Sequence, residues 1–204
     1  MKNSHFGSKI GSRRHNFRAR KSLLFPTILF VFLSAFSASP RASIASDISV
    51  YFSPQGGASE AIVHEIAQAK TSINVQAYSF TSAPIAKALV EAAGRGVHVK
   101  VILDKSNVTG RYGVADYLDH AGIKPMIDSA HAIAHNKVIV IDQAVVITGS
   151  FNFTGAAELR NAENLLVIRD PELARKYMEN WSKHAAHSVL YEGRVSDGRG
   201  QNED

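Results

Sequence analysis

The sequence predicts an α/β domain, with a mixed, mostly parallel β-sheet flanked by helices on both faces. Three observations carry this. From Asp47 onward, short β-branched runs alternate with longer stretches whose apolar residues recur at helical spacing. Glycine- and proline-rich breaks separate the two kinds of segment. Hydrophobic residues make up 45% of the 204 residues, enough for a buried core.

Taken in order, Ile48–Phe52 reads as a strand and residues 53–57 (Ser-Pro-Gln-Gly-Gly) as a turn. Residues 58–70 read as a helix with Ile62 and Ile66 on one face, and 72–80 as a strand. Pro84 suits the first turn of a helix that runs to about Ala93 and stops at Gly94-Arg95-Gly96. Residues 97–103 form a strongly β-branched strand, and 113–121 a helix closed by Gly122. Strands follow at 137–142, 144–148 and 164–168, then a long amphipathic helix from Pro171 to about Val189. Residues 191–204 read as a polar tail. No internal repeat is evident.

The first 45 residues differ in kind. They hold eight basic side chains and no acidic ones, then an apolar run from Leu23 to Phe36 that is too short for a spanning helix. Small residues follow, and Ser43-Ile44-Ala45 fits a cleavage site, so residues 1–45 are expected to be a signal peptide or N-terminal anchor. Ser12-Arg13-Arg14 is a weak twin-arginine pattern. The expectation is export, to the periplasm or outside the cell. The net charge of +5 belongs to this extension. Residues 46–204 carry 15 Lys and Arg against 18 Asp and Glu, so the basic balance is no argument for nucleic-acid binding. With no cysteine, disulfides, thiolate metal sites and cysteine nucleophiles are excluded.

The chemistry concentrates in residues 135–152. Read as two strands joined by a two-residue turn at Gln143-Ala144, this stretch pairs Asp142 with Val145, Lys137 with Ser150 and His135 with Asn152. Cross-strand partners share a face. His135, Lys137, Ser150 and Asn152 would then project together: a nucleophile or base, a fixed cation and two neutral hydrogen-bonding groups, a set suited to a phosphate ester. The same parity puts Asp142 on the opposite face, ordering the turn or a neighbouring segment. His131 reads as a loop residue, and His184 and His187 as solvent-facing. Asn107-Val108-Thr109 and Asn152-Phe153-Thr154 are read as chance matches to the glycosylation pattern.

The spacing His135-x-Lys137-x4-Asp142-x6-Gly149-Ser150-x-Asn152 resembles the HKD motif of the phospholipase D superfamily at every fixed position. Tyr51-Phe52-Ser53-Pro54, Ala77-Tyr78-Ser79-Phe80-Thr81, Arg95-Gly96-Val97, Ser150-Phe151-Asn152-Phe153-Thr154 and Asn161-Ala162-Glu163-Asn164 resemble its small bacterial Nuc-like endonuclease branch, over roughly residues 47–190. The resemblance implies the phospholipase D/nuclease fold for residues 46–190. It also implies His135 as nucleophile, a phosphohistidine intermediate, and Glu163 as the acceptor that orients the His135 ring. Large family members carry two such motifs. With one, the resemblance implies a homodimer in which a second copy supplies the second histidine. It implies no metal and no cofactor, and no dense His or carboxylate ligand cluster is legible in the sequence.

Three readings of function follow. One is an endonuclease cutting DNA, with RNA the lesser option, in which residues 105–112 (Lys-Ser-Asn-Val-Thr-Gly-Arg-Tyr) could contact phosphates or remain a plain surface loop. The alternative is a phospholipase D acting on phospholipid headgroups, weakened by the lack of a basic amphipathic helix. The third, an inactive member that only binds nucleic acid or membrane, is opposed by the intact motif.

Overall fold

The computed structural model describes residues 47–108 and 113–193. The expected signal segment and most of the expected tail lie outside them. Eight strands form one sheet in the order β1-β7-β6-β5-β2-β3-β4-β8. The strands are β1 (Asp47–Ser53), β2 (Ser72–Ala77), β3 (His98–Asp104), β4 (Met126–Asp128), β5 (Lys137–Ile141), β6 (Val145–Gly149), β7 (Glu163–Arg169) and β8 (Val189–Leu190). The helices are α1 (Ala58–Gln68), α2 (Ala83–Gly94), α3 (Val114–His120), α4 (Gly155–Leu159) and α5 (Pro171–His187).

The sheet is mixed, but the expectation that it would be mostly parallel is corrected. Only β2–β3 and β3–β4 pair in parallel, while the other five pairings are antiparallel. The reason lies in the connections. Parallel neighbours need a crossover, which α2 and α3 provide, whereas β5 returns to β6 through a hairpin. Helices do cover both faces. Ile62, Ile66, Ile85 and Leu89 of α1 and α2 pack with Ile73, Val75, Val101, Leu103, Ile139 and Ile147 in the main core. On the other face, Ala174, Leu173, Tyr177 and Met178 of α5 cover Val138, Val140 and Val146. Pro171 sits in the first turn of α5, and the Asp170 side chain caps it by accepting from Glu172 N and Leu173 N.

The β5–β6 hairpin differs from the expected register by one residue. Ile141 pairs with Val145, so the loop is Asp142-Gln143-Ala144, with φ of 51° at Asp142 and 54° at Gln143. Two consecutive left-handed residues make the extra loop residue possible. A one-residue slip reverses the parity used above. Ser150 and Asn152 are therefore not the ladder partners of Lys137 and His135, and another device must bring them to the site.

Candidate active site

One end of the sheet gathers the chemistry: the ends of β1, β2, β3, β4 and β6 and the starts of β5 and β7. His135 and Lys137 open β5. The loop that carries His135 runs from the end of β4 across the ends of β3 and β2. It is held on the way by Asp104, whose Oδ2 accepts from Ala134 N (2.8 Å), and by the Asn136 carbonyl, which accepts from Tyr78 N (2.7 Å). Asp104 is buried. Desolvation alone would raise its pKa, but bonds from Ser106 and Ala134 outweigh it and hold the carboxyl below its ordinary value.

His135 is exposed, while Lys137 is only 7% accessible. The Lys137 Nζ lies 3.0 Å from His135 Nδ1 and 3.1 Å from Nε2, and it donates to the His135 carbonyl at 3.0 Å. Near-equal distances place the ammonium over the Nδ1–Cε1–Nε2 side of the ring face rather than in line with one nitrogen. An ammonium only donates, so a ring nitrogen that bonds it must offer a lone pair. Tyr78 braces both groups: its ring centroid is 4.5 Å from that of His135 and 5.1 Å from Lys137 Nζ. Burial pushes the Lys137 pKa down, and the Glu163 carboxylate partly offsets this. Glu163 is thus electrostatically coupled to Lys137. Its carboxylate accepts from Asn161 Nδ2 (3.1 Å) rather than from His135.

Ser150 and Asn152 reach this end by a departure from the ladder. At Gly149 the chain bends with φ of 148°, and an added Cβ would lie 2.3 Å from the Asn164 carbonyl oxygen. Ser150 N and Phe151 N both donate to that oxygen, at 3.1 and 3.3 Å. Glycine is needed here because the two backbones approach too closely for any side chain. The next residues alternate. Phe151 and Phe153 are buried, and Phe153 bridges to Phe80, just beyond Tyr78. Ser150 Oγ accepts from Asn164 N (3.0 Å), which leaves its own O–H to donate. Asn152 Oδ1 is buried without a hydrogen-bond partner. Among the described residues, neither is hydrogen-bonded to His135 or Lys137.

Asp142 lies at the opposite end of the hairpin. Its carboxylate accepts from Lys70 N, Thr71 N, Thr71 Oγ1 and Ser72 N, all within 2.8–2.9 Å. Desolvation would raise its pKa, but these bonds outweigh it and the net shift is downward. It ties the hairpin to the start of β2. Asn107 donates to the Tyr78 and Asp104 carbonyls and accepts from Phe80 N, so its amide is committed to the structure. Of the loop considered for phosphate contacts, Lys105–Val108 is a 3₁₀ turn, Lys105 donates to the His131 carbonyl at 3.0 Å, and residues 109–112 lie outside those described.

Sequence reasoning missed Tyr78 and Asp104, although Tyr78 fell inside a family-like segment. It also misjudged one of the two histidines of α5, since His187 is exposed as expected. His184 is not solvent-facing: only 15% of its side chain is exposed, and its Nδ1 is 2.7 Å from Oδ2 of the fully buried Asp128. His187 and His131 join it there, so a His and carboxylate cluster does exist where none was legible. Its two pairs, Asp128 with His131 and His184 with His187, are remote from each other in sequence and meet only through the fold.

Comparison with known proteins agrees with this architecture. Residues 62–185 match the family model described as the cardiolipin synthase, phospholipase D-like domain. The chain belongs to this phospholipase D-like family. It is therefore a phosphodiesterase hydrolase of the phospholipase D superfamily. A protein named phospholipase D from Rickettsia conorii is 46% identical over 141 residues, 69% of this chain and 70% of its own. The crystal structure of Nuc from Salmonella typhimurium, titled a phospholipase D family member, superposes with a TM-score of 0.70 at 42% identity, covering 72% of this chain and 99% of that one. NucT from Helicobacter pylori gives a TM-score of 0.67 at 28% identity over the same share of each.

Proposed function

We propose that this chain is a metal-independent endonuclease that hydrolyses DNA phosphodiesters through a phosphohistidine on His135. The carrying observation is the exposed His135 ring held against the buried Lys137 ammonium. Such a pair offers a lone pair for attack on phosphorus and a fixed positive charge for the nonbridging oxygens. The Ser150 hydroxyl and the Asn152 amide, which has an orphaned oxygen, supply further groups for the phosphoryl oxygens. Glu163 supports the Lys137 charge, offsetting part of what burial costs it. Attack forms the N–P bond and breaks the P–O bond to the leaving alcohol. Water then releases the phosphoryl group and regenerates the imidazole.

A second histidine must protonate the leaving oxygen, and we assign it to a second copy of the chain. Support comes from β1, a sheet edge whose Ile48, Val50 and Phe52 are 52%, 49% and 65% exposed on one face. An exposed apolar stripe on an edge strand is the kind of surface that pairs. It runs toward the active end, since Phe52 and Ser53 pair with Asn164 and Glu163. The protein would act after export, in the periplasm or outside the cell.

A specific observation favours the second reading, phospholipid headgroup hydrolysis. Ile133, two residues before His135, is 56% exposed, and the Rickettsia relative carries the name phospholipase D. The test is cleavage of supercoiled plasmid, single-stranded DNA and phospholipid vesicles by the full chain in excess EDTA, beside His135→Ala. DNA cleavage that disappears in the variant supports the proposal. A dimeric wild type that spares DNA and releases headgroup transfers the assignment to lipid.

A further inference from the structure

On the α5 side of the sheet end, Asp128 closes β4 and is 0% exposed. His184 and His187 stand three residues apart near the end of α5, a spacing that puts both on one helix face. His131 comes from the loop just after β4. Asp128 Oδ2 lies 2.7 Å from His184 Nδ1 and 3.2 Å from His187 Nε2, and Oδ1 lies 3.2 Å from His131 Nδ1. The three ring centroids are 4.9, 5.2 and 5.3 Å apart. One donor atom from each of the four residues falls within 4.8 Å of every other.

We propose that Asp128, His131, His184 and His187 form a binding site for a zinc-class divalent ion, which fastens the loop carrying His135 to α5. The donor set is three imidazoles and one carboxylate, with no thiolate. That composition selects Zn²⁺ or Co²⁺ over Mg²⁺ or Ca²⁺, which take oxygen ligands. Four donors suit a closed tetrahedral site, whose edges are about 3.3 Å for metal–ligand bonds near 2 Å. The present spread contracts to that by small side-chain rotations, which the 46% exposed His131 and 36% exposed His187 have room to make. Asp128 already has an outer partner, because Oδ1 accepts from Ala130 N at 3.1 Å. Hydrogen bonding alone accounts for the contacts to the carboxylate, which has four acceptor sites, but not for the close approach of the three rings to one another. Three rings converging on it and on each other are better explained by an ion they share.

The location gives the site its consequence. His131 stands four residues before His135, in the loop that Lys105 and Asp104 hold at the His131 carbonyl and Ala134 N. A metal bond at His131 would anchor the start of that loop to the helix behind the sheet. None of its ligands belongs to the His135 site, so the ion orders the loop and takes no part in the reaction.

The test strips the untagged full chain with EDTA and titrates it with Co²⁺. One Co²⁺ per chain with the intense visible absorption of a tetrahedral ion, displaced by Zn²⁺, is expected. His184→Ala/His187→Ala should abolish that spectrum. His131→Ala, at an exposed position, should weaken Co²⁺ binding by roughly tenfold or more while leaving circular dichroism unchanged. His64→Ala/His98→Ala should leave the spectrum intact. Zn²⁺ should slow amide exchange in residues 129–136. Absence of a tetrahedral spectrum, or its survival in a folded His184→Ala/His187→Ala variant, would overturn the site. Unchanged exchange at saturating Zn²⁺ would overturn the anchoring role.

Discussion

The two ends of the β5–β6 hairpin belong to one short motif and are built to opposite purposes. At the Asp142 end every acceptor is used: one carboxylate takes four hydrogen bonds and locks the hairpin to the start of β2. At the His135 end, polar groups are held with capacity left over. Lys137 is buried beside the His135 ring and its pKa is lowered, the Ser150 Oγ accepts a bond and leaves its O–H to donate, and Asn152 Oδ1 has no partner. Desolvated, unsatisfied groups cost stability and are retained where a ligand completes them. The motif's aspartate is therefore a fastening, and its histidine and lysine are the groups proposed to work.

Substitutions at the two ends should separate these purposes. The largest effect belongs to His135→Ala, which should lower kcat by a factor on the order of 10⁴ or more with unchanged thermal stability, since it removes the nucleophile. Lys137→Met keeps the apolar stem and removes the charge. It should lower kcat by about 10²–10³, the cost of one preorganised group facing the phosphoryl oxygens. Asp142→Ala should do the reverse, destabilising the fold by about 2 kcal/mol in denaturant melts while the folded fraction keeps its kcat. Because the folded pKa of Asp142 lies below its ordinary 3.8, its stabilisation is present above that value and fades as the pH falls toward the lowered one. Asp142→Ala should therefore flatten that part of the acid stability profile. The smallest effect is expected from Glu163→Gln, read in the pH profile. Glu163 raises a Lys137 pKa that burial lowers, so its loss should move the alkaline limb of activity to lower pH. An unmoved limb would detach Glu163 from Lys137.

Much of this was legible in the sequence because its signals are local. The long helices and strands follow from apolar periodicity, and the spacing from His135 to Asn152 marks the site. What escaped depends on distant partners. The three residues of β4 and two of β8 carry too little periodicity to read alone, and exist as strands because β3 and each other supply the ladder. The five-residue α4 is fixed by Thr154, whose hydroxyl accepts from Ala157 N. The hairpin register slipped because Gln143 gives no hint of a left-handed backbone, and the inferred shared face failed with it. Ser150 and Asn152 leave the ladder where Gly149 closely approaches Asn164, a tertiary contact. Tyr78, Asp104 and the Asp128 cluster likewise become visible only when strand ends are assembled.

The proposed reaction passes through a covalent step at one end of the hairpin. Acid quenching of the full chain during turnover of a phosphorus-labelled diester, followed by mapping of the label, tests it most directly. The prediction is alkali-stable, acid-labile label on the peptide carrying His135, absent in His135→Ala and present in Asp142→Ala. Label on another residue, or turnover that continues in His135→Ala, would contradict it.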